Sequence, residues 1–376
     1  MAAIITDKLK NLVVDLIKAN DSDASNKYYA AIGRSEAWND SDVSPTPLRT
    51  KSEENDFRNS MQSMKLIADV SLVIPRYNWS SGTFYSAYDD TQVGNTNAYY
   101  VINANQQVYM VLRASVSATG TAVASTIEPT GNTTGTPFKT SDGYVWKFMY
   151  SISATDANKF QSANFIPVKS IPFTNVNSSV AEVEQKAVQD AAVHGQIIGY
   201  GIESAGAGYS SAPTLTVQGN GSNAAATATI SGGQVVKVEV ADSSDASLKI
   251  ANFGSGYDYA NVEVSGGSPT KPVKVRPILA NSGGLGNDAT IDFKASAIMF
   301  NAKPTGTETL DFVIGQDFRQ VGLLKNPQVD SAGHGGNGVS TAFTASTGRA
   351  LKALNFSAVN TAFGEDKTIL GVTSGA

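Results

Sequence analysis

The sequence predicts a mainly β protein of several domains, with a β-sandwich main domain, a few helices and a small inserted β module. Three observations carry that expectation. Short apolar or aromatic runs are bounded by turn residues, a Gly-x-Gly-Tyr repeat sits in Gly-, Ala- and Val-rich sequence, and 376 residues exceed what one compact core usually holds.

The helices come first in the chain. Leu9, Leu12, Val13, Leu16 and Ile17 recur at helical spacing behind Thr6, a suitable N-cap, so the first twenty residues read as an amphipathic helix that needs a packing partner. Phe57, Met61, Met64 and Ala68 form a second stripe, predicting a helix from Ser52, its cap, to about Ala68. A third helix is expected around Val180 to Val193.

Strands follow a different logic. Leu72 to Pro75 is a short apolar run, Tyr99–Ile102 and Val108–Leu112 bracket a polar turn as a hairpin, and Tyr144–Ile152 is a dense aromatic strand. Between them, Ser115 to Asp142 is rich in Ser, Thr, Gly and Pro and reads as a long exposed loop. Ala289–Phe300, Glu308–Ile314 and Phe318–Leu324 are further expected strands, Asp330–Gly348 is a linker, and Thr368–Ala376 reads as a strand and turn.

From about Ile197 an internal echo appears. The run from Gly206-Ala-Gly-Tyr209 to Val217 returns as Gly254-Ser-Gly-Tyr257 to Val264, an offset of 48 residues (254 − 206), and Gly232-Gly233 marks a hairpin turn between two further strands. The expected domains are therefore 1–193, the helix and first part of the main domain; 194–275, the inserted repeat module; and 276–376, the remainder of the main domain and the C-terminal segment.

Composition narrows the function. Charged residues make up 16%, below the usual quarter or so, and the formal net charge is −5 without a long basic run, which argues against a nucleic-acid partner. There is no cysteine, hence no disulfide, thiolate nucleophile or Cys-based zinc site, and no stretch of about 18 apolar residues. His194 and His334, the two histidines, read as surface residues. The pairs Asp21 and Asp23, Asp40 and Asp42, and Asp89 and Asp90 read as turn and cap residues rather than a hydrolase's acid and base. The Gly-x-Gly-Tyr turns open strands and not helices, so they read as positive-φ turns with a packed tyrosine rather than phosphate loops. No catalytic residue, metal, cofactor or small-molecule substrate is expected.

Three clusters hold all three tryptophans. They are Gly33-Arg-Ser-Glu-Ala-Trp38, Val73-Ile-Pro-Arg-Tyr-Asn-Trp79 and Asp142-Gly-Tyr-Val-Trp146 with the aromatic residues that follow. Arg beside Trp suits cation–π stacking, and a guanidinium can pair bidentately with a glutamate; such groups order loops and anchor interfaces. The candidates are Arg34, Glu36, Trp38, Arg76, Trp79, Trp146 and, from a fourth block Phe318-Arg-Gln-Val-Gly-Leu-Leu-Lys-Asn-Pro327, Arg319.

These four blocks, in this order, resemble the baseplate wedge subunit of T-even-like contractile-tailed phages, the eighth-gene-product family, in a cyanophage-like version. The resemblance spans about Ala31 to Pro327 and leaves out the repeat module. It implies a mostly β, homodimeric structural protein of the virion tail baseplate, assembled in the host cytoplasm, contacting other wedge proteins and carrying no catalytic residue. The alternative expectation is a receptor-binding, adhesin-type tail protein holding host glycan through Tyr209, Tyr257 and Tyr259, which requires those tyrosines to be exposed.

Overall fold

The computed structural model describes residues 7–22, 25–46, 48, 50–95, 97–131, 133–172, 179–241, 252–302, 317–330 and 340–343. It is mainly β with several sheets, as the sequence predicts. The chain divides by contact into two compact units, Met1–Asn26 with Ala68–Asn301 and Lys27–Ile67 with Ala302–Ala376. These divisions fall at other places than the sequence-based boundaries near 193 and 275.

In the smaller unit, β1 (Tyr28–Gly33) is the central strand, flanked antiparallel by β2 (Met61–Leu66) and β18 (Gln320–Lys325). Its alternation is strict, with Tyr29, Ala31 and Gly33 buried. Helix α2 (Lys51–Ser60) is capped by Thr50, whose hydroxyl accepts from Glu53 N, and Glu53 and Glu54 suit the first turn. The helix lays Phe57 over Gly322, where any Cβ would collide with the ring. Two expectations are corrected here. The cap is Thr50 rather than Ser52, and the helix stops at Ser60 because Met61 and Met64 pair with β1 as strand residues. β19 (Gln328–Asp330) and β20 (Ser340–Ala342) form a short ladder, and Phe343 meets Tyr29 edge-on at 5.0 Å. Glu308–Ile314, His334 and Thr368–Ala376 lie outside the described residues.

In the larger unit, α1 (Asp7–Ser22) forms as expected, but among its described side chains the buried one is Val14. It packs on β3 (Asp69–Pro75) and β17 (Ala297–Asn301), and Asn11 Nδ2 donates to Thr290 O at 3.2 Å. The stripe expected to be covered lies open, with Leu12 54% and Leu16 59% exposed. β3 is central between β17 and β8 (Phe165–Val168). A second sheet runs β4 (Tyr100–Ile102), β5 (Gln107–Arg113), β7 (Val145–Ser151), β6 (Phe138–Lys139). β5 and β7 are buried on both faces. One core, with Ile74, Tyr100, Met110, Met149 and Phe293, joins the two sheets; the other holds Tyr85, Tyr109, Val111, Trp146 and Phe148. Helix α3 (Ala154–Phe160) leads into β8, and α4 (Val180–Asp190), capped by Ser179, packs on β7. The segment expected as a strand from Ala289 begins instead as a short helix, α5 (Ala289–Asp292), because the Asp288 side chain accepts from Thr290 N and caps it.

The repeat builds a pseudo-symmetric module from β9 (Ile197–Ser204), β10 (Thr214–Gly219), β11 (Ser222–Ala224), β12 (Ala226–Ser231), β13 (Gln234–Val240), β14 (Phe253–Ser255), β15 (Ala260–Ser265) and β16 (Lys274–Leu279). The pairs are β9 with β16, β10 with β15, β11 with β14 and β12 with β13, so each repeat completes its ladders with the other. Gly195-Gln-Ile-Ile198 and Gly233-Gln-Val-Val236 prove to be matching starts of the two repeats. Tyr209 N donates to Gly233 O (3.0 Å) and Tyr257 N to Gly195 O (3.2 Å). Gly206 (φ 68°) and Gly254 (φ 63°) lie so close to the opposing backbone that a Cβ would sit 2.7 Å from Lys271 O and 2.6 Å from Ser222 O. Tyr209 packs on Gly267 of the second repeat, and Tyr257 on Gly219 and Gly221 of the first.

Tyr209 also accepts a hydrogen bond from buried Val273 N at 2.8 Å. Tyr209→Phe strands that N–H without a partner, and urea denaturation should show a loss of about 1–3 kcal/mol. An unchanged midpoint would mean that the hydroxyl does not hold the module closed.

Candidate functional site

The four singled-out blocks meet in two pairs, one pair within each unit. In the smaller unit the Gly33–Trp38 loop meets the Phe318–Pro327 block. Arg34 holds φ at 55° and Asp42 at 50°, left-handed conformations that cost on the order of 1–3 kcal/mol each and persist only where neighbours fix them. Arg319 supplies much of that fixing. Its backbone N–H lies 3.1 Å from Gly33 O and 3.0 Å from Arg34 O, its Nη1 donates to Ser35 O, and its Nε donates to Asp42 Oδ2 at 2.6 Å. Asp42 in turn accepts from Trp38 N at 3.1 Å, and the Arg34 guanidinium stacks 4.0 Å over the Trp38 ring. The hydrogen bond from Arg319, then that from Trp38, holds the Asp42 carboxyl below the ordinary range, and Asp42 raises Arg319. The cation–π contact expected of Arg34 and Trp38 is therefore present. The carboxylate that pairs with a guanidinium is Asp42 rather than Glu36, which is exposed and paired with no cation among the described residues. The sequence reads Asp42 as a turn residue, and nothing local marks its partner 277 residues away.

In the larger unit the Val73–Trp79 block meets the Asp142 block. Arg76 does not stack on Trp79; it fastens a neighbouring loop, with Nε donating to Asn78 Oδ1 (2.8 Å), Nη1 to Ser162 O (3.1 Å) and its backbone N to Asn164 O (2.8 Å). Trp79 Nε1 donates to Ser125 Oγ (3.1 Å), and Ser125 Oγ donates to Asp142 Oδ2 (3.2 Å). Asp142 is the hub of this loop. Oδ2 also accepts from Thr126 N and Ile127 N, and Oδ1 from the Thr140 hydroxyl and Tyr144 N. Burial works to raise its pKa, but the Thr140 hydroxyl and the backbone donors hold it below the ordinary range. Trp146, wholly buried, stacks on Tyr144 and donates Nε1 to Thr140 Oγ1 at 3.2 Å. The segment 115–142 is thus no freely exposed loop: it buries Ser125 completely and covers the aromatic core.

Sequence reading passes over two buried ionisable side chains, Lys147 and Asp292. Lys147, in the aromatic strand, donates Nζ to Leu285 O at 2.9 Å. Asp292 accepts from Asn281 Nδ2 (2.9 Å) and Gly286 N (2.7 Å). Burial lowers the Lys147 pKa to about 8 and raises that of Asp292 to about 7. A lysine inside an apolar strand was the available signal.

The other candidates resolve simply. Arg276 pairs with both Asp89 and Asp90. His194 Nε2 lies 3.1 Å from Asp258 at an exposed site. Tyr209 and Tyr257 are 5% and 4% exposed and only Tyr259 is open at 66%, so burial counts against a glycan platform of all three. Among the described residues no cluster of three or more His, Cys, Asp or Glu side chains could hold a metal ion, and no helix is long and apolar enough to cross a membrane. No known protein family matches the chain, and no curated protein matches it in sequence.

Two pH-dependent outcomes follow. Asp142 has a depressed folded pKa, so its contribution is full above the ordinary carboxylate range and fades as pH falls through the folded value. Asp142→Asn should cost on the order of 2 kcal/mol at pH 7 and progressively less on acidification, measured by thermal unfolding. Asp292 has the opposite sign. Its raised pKa favours the fold at low pH, and that contribution is lost as pH rises from about 4 through about 7. Relative to the parent, Asp292→Asn should therefore gain on the order of 1–3 kcal/mol between pH 4 and 7.5; a constant difference across that range would refute the buried-acid assignment.

Proposed function

We propose that the chain is a structural subunit of the tail baseplate wedge of a contractile-tailed phage, linking neighbouring wedge proteins and taking part in the rearrangement that precedes sheath contraction. The observation that supports it best is the pairing of the four blocks. Arg319 holds Asp42 from 277 residues away along the chain and so closes the loop that begins at Gly33, and the Trp79–Ser125–Asp142 relay closes the other. In both places arginine, tryptophan and aspartate are spent on holding irregular backbone in one conformation, which is what a rigid assembly surface requires. Glu36 and Phe318 are both exposed, the latter at 50%, and offer a partner a charge and an apolar anchor. The mechanism is differential contact: one set of interfaces is satisfied before contraction and another after it, and the difference in free energy drives the change. The subunit acts as a homodimer within the virion.

Light scattering on the purified chain, alone and mixed with the other wedge proteins of its phage, tests the reading. A dimer that enters a larger stable complex is expected, with Arg76→Ala and Arg319→Ala each weakening entry about tenfold while circular dichroism stays unchanged. A monomer that ignores wedge proteins overturns the proposal, and normal incorporation of both variants overturns the role of these loops.

A further inference from the structure

The larger unit contains a cleft of about 280 Å³ between the end of β5 and the strands of the repeat module. Its walls are apolar: Leu112 and Val145 on the sheet side, Ile198, Val238, Val240 and Phe253 on the module side. An apolar cavity of about 150 Å³ is enough to take up benzene, so this one has room for a molecule nearly twice that size. Three ionisable residues also line it. Arg113 Nε lies 3.0 Å from Glu239 Oε1, and Lys237 Nζ lies 2.7 Å from the same oxygen. Two cations thus face one carboxylate, and all three side chains are largely withdrawn from solvent, with exposures of 17%, 25% and 17% for Arg113, Lys237 and Glu239. A low-dielectric site with one surplus positive charge favours an anion, since desolvation strengthens the pairing and water competes poorly.

We propose that this cleft binds a small amphipathic carboxylic acid, with its hydrocarbon part against Leu112, Val238 and Phe253 and its carboxylate on Arg113 and Lys237. The ligand is held without chemistry: the Arg113 and Lys237 cations, both beside Glu239, serve to pair with its carboxylate. The cleft spans the joint between the repeat module and the sheet, so an occupied cleft braces the module against it. This inference does not depend on the assembly role, and its test reads binding alone.

Isothermal titration of the full chain with octanoate, and with octanol as the uncharged comparator, decides it. Saturable octanoate binding is expected, at least tenfold tighter than octanol. Lys237→Gln leaves Arg113 balanced by Glu239 and should remove most of that preference without altering octanol binding. Ile202→Trp, which places an indole at the partly exposed rim of the cleft, should abolish binding of both while circular dichroism and the melting temperature confirm the fold. The proposal fails if octanoate does not bind saturably, if octanol binds as tightly, or if a folded Ile202→Trp variant binds as the parent does.

Discussion

The rest of the larger unit depends on one constraint: strands β5 and β7 are buried on both faces. A sheet with one wet face needs a single cover, but here alternate residues along β5 feed two separate cores, Val108, Met110 and Leu112 on one side and Tyr109 and Val111 on the other. The first face is covered by regular structure, through β3, β8 and Phe293. The second is covered largely by irregular chain, and irregular chain brings backbone polar groups that must be satisfied away from water. The Asp142 carboxylate answers that need, gathering two backbone N–H groups of the 115–142 segment and two hydroxyls into one point. A single acidic side chain thereby lets polar, Gly-rich sequence act as the lid of an aromatic core.

The same requirement explains what could be read from the sequence. The hairpin of β4 and β5, the strand β7, helix α4 and the Gly-x-Gly-Tyr turns all follow from local patterns, since period, cap and turn chemistry are written within a few residues. The role of segment 115–142 is not local. Its Ser, Thr, Gly and Pro content looks the same whether its hydrogen bonds go to water or to a carboxylate, and only the fold brings Asp142 within reach of Ser125 and Thr126. Met61 and Met64 show the opposite ambiguity. They satisfy a helical stripe behind Phe57, yet Ser60 ends the helix and both join the ladder beside β1, where pairing along Met61–Leu66 satisfies the backbone instead.

The loop clusters were half legible for a related reason. The sequence places Arg34 and Trp38 four residues apart, and their stacking follows from that spacing. It places Arg76 and Trp79 only three apart, but here the guanidinium turns to Asn78 and the Ser162 carbonyl while the indole turns to Ser125. Proximity along the chain therefore predicted contact in one case and not in the other. What differs is the backbone. Arg34 and Asp42 adopt left-handed conformations that fold the short loop back on itself, whereas the chain after Pro75 runs on towards β4, with Trp79 N bonded to Ile102 O.

In the repeat module whole elements, not single residues, depend on one another. Its two halves share a start, a turn and a strand, yet neither half closes a ladder alone: β12 finds β13 across the Gly232-Gly233 turn, while β16 must return to β9. The exchange brings the first and last strands of the module together, so the chain enters and leaves at one place, and a unit built this way can sit within another domain without interrupting its strands. It also fixes the tyrosines. Each is buried against glycines of the opposite repeat, and a side chain at Gly219, Gly221 or Gly267 would collide with a ring. The glycines and tyrosines are thus two halves of one packing contact made twice, which is why they recur together at a common spacing and why their recurrence reflects closure of the module rather than a surface for a ligand.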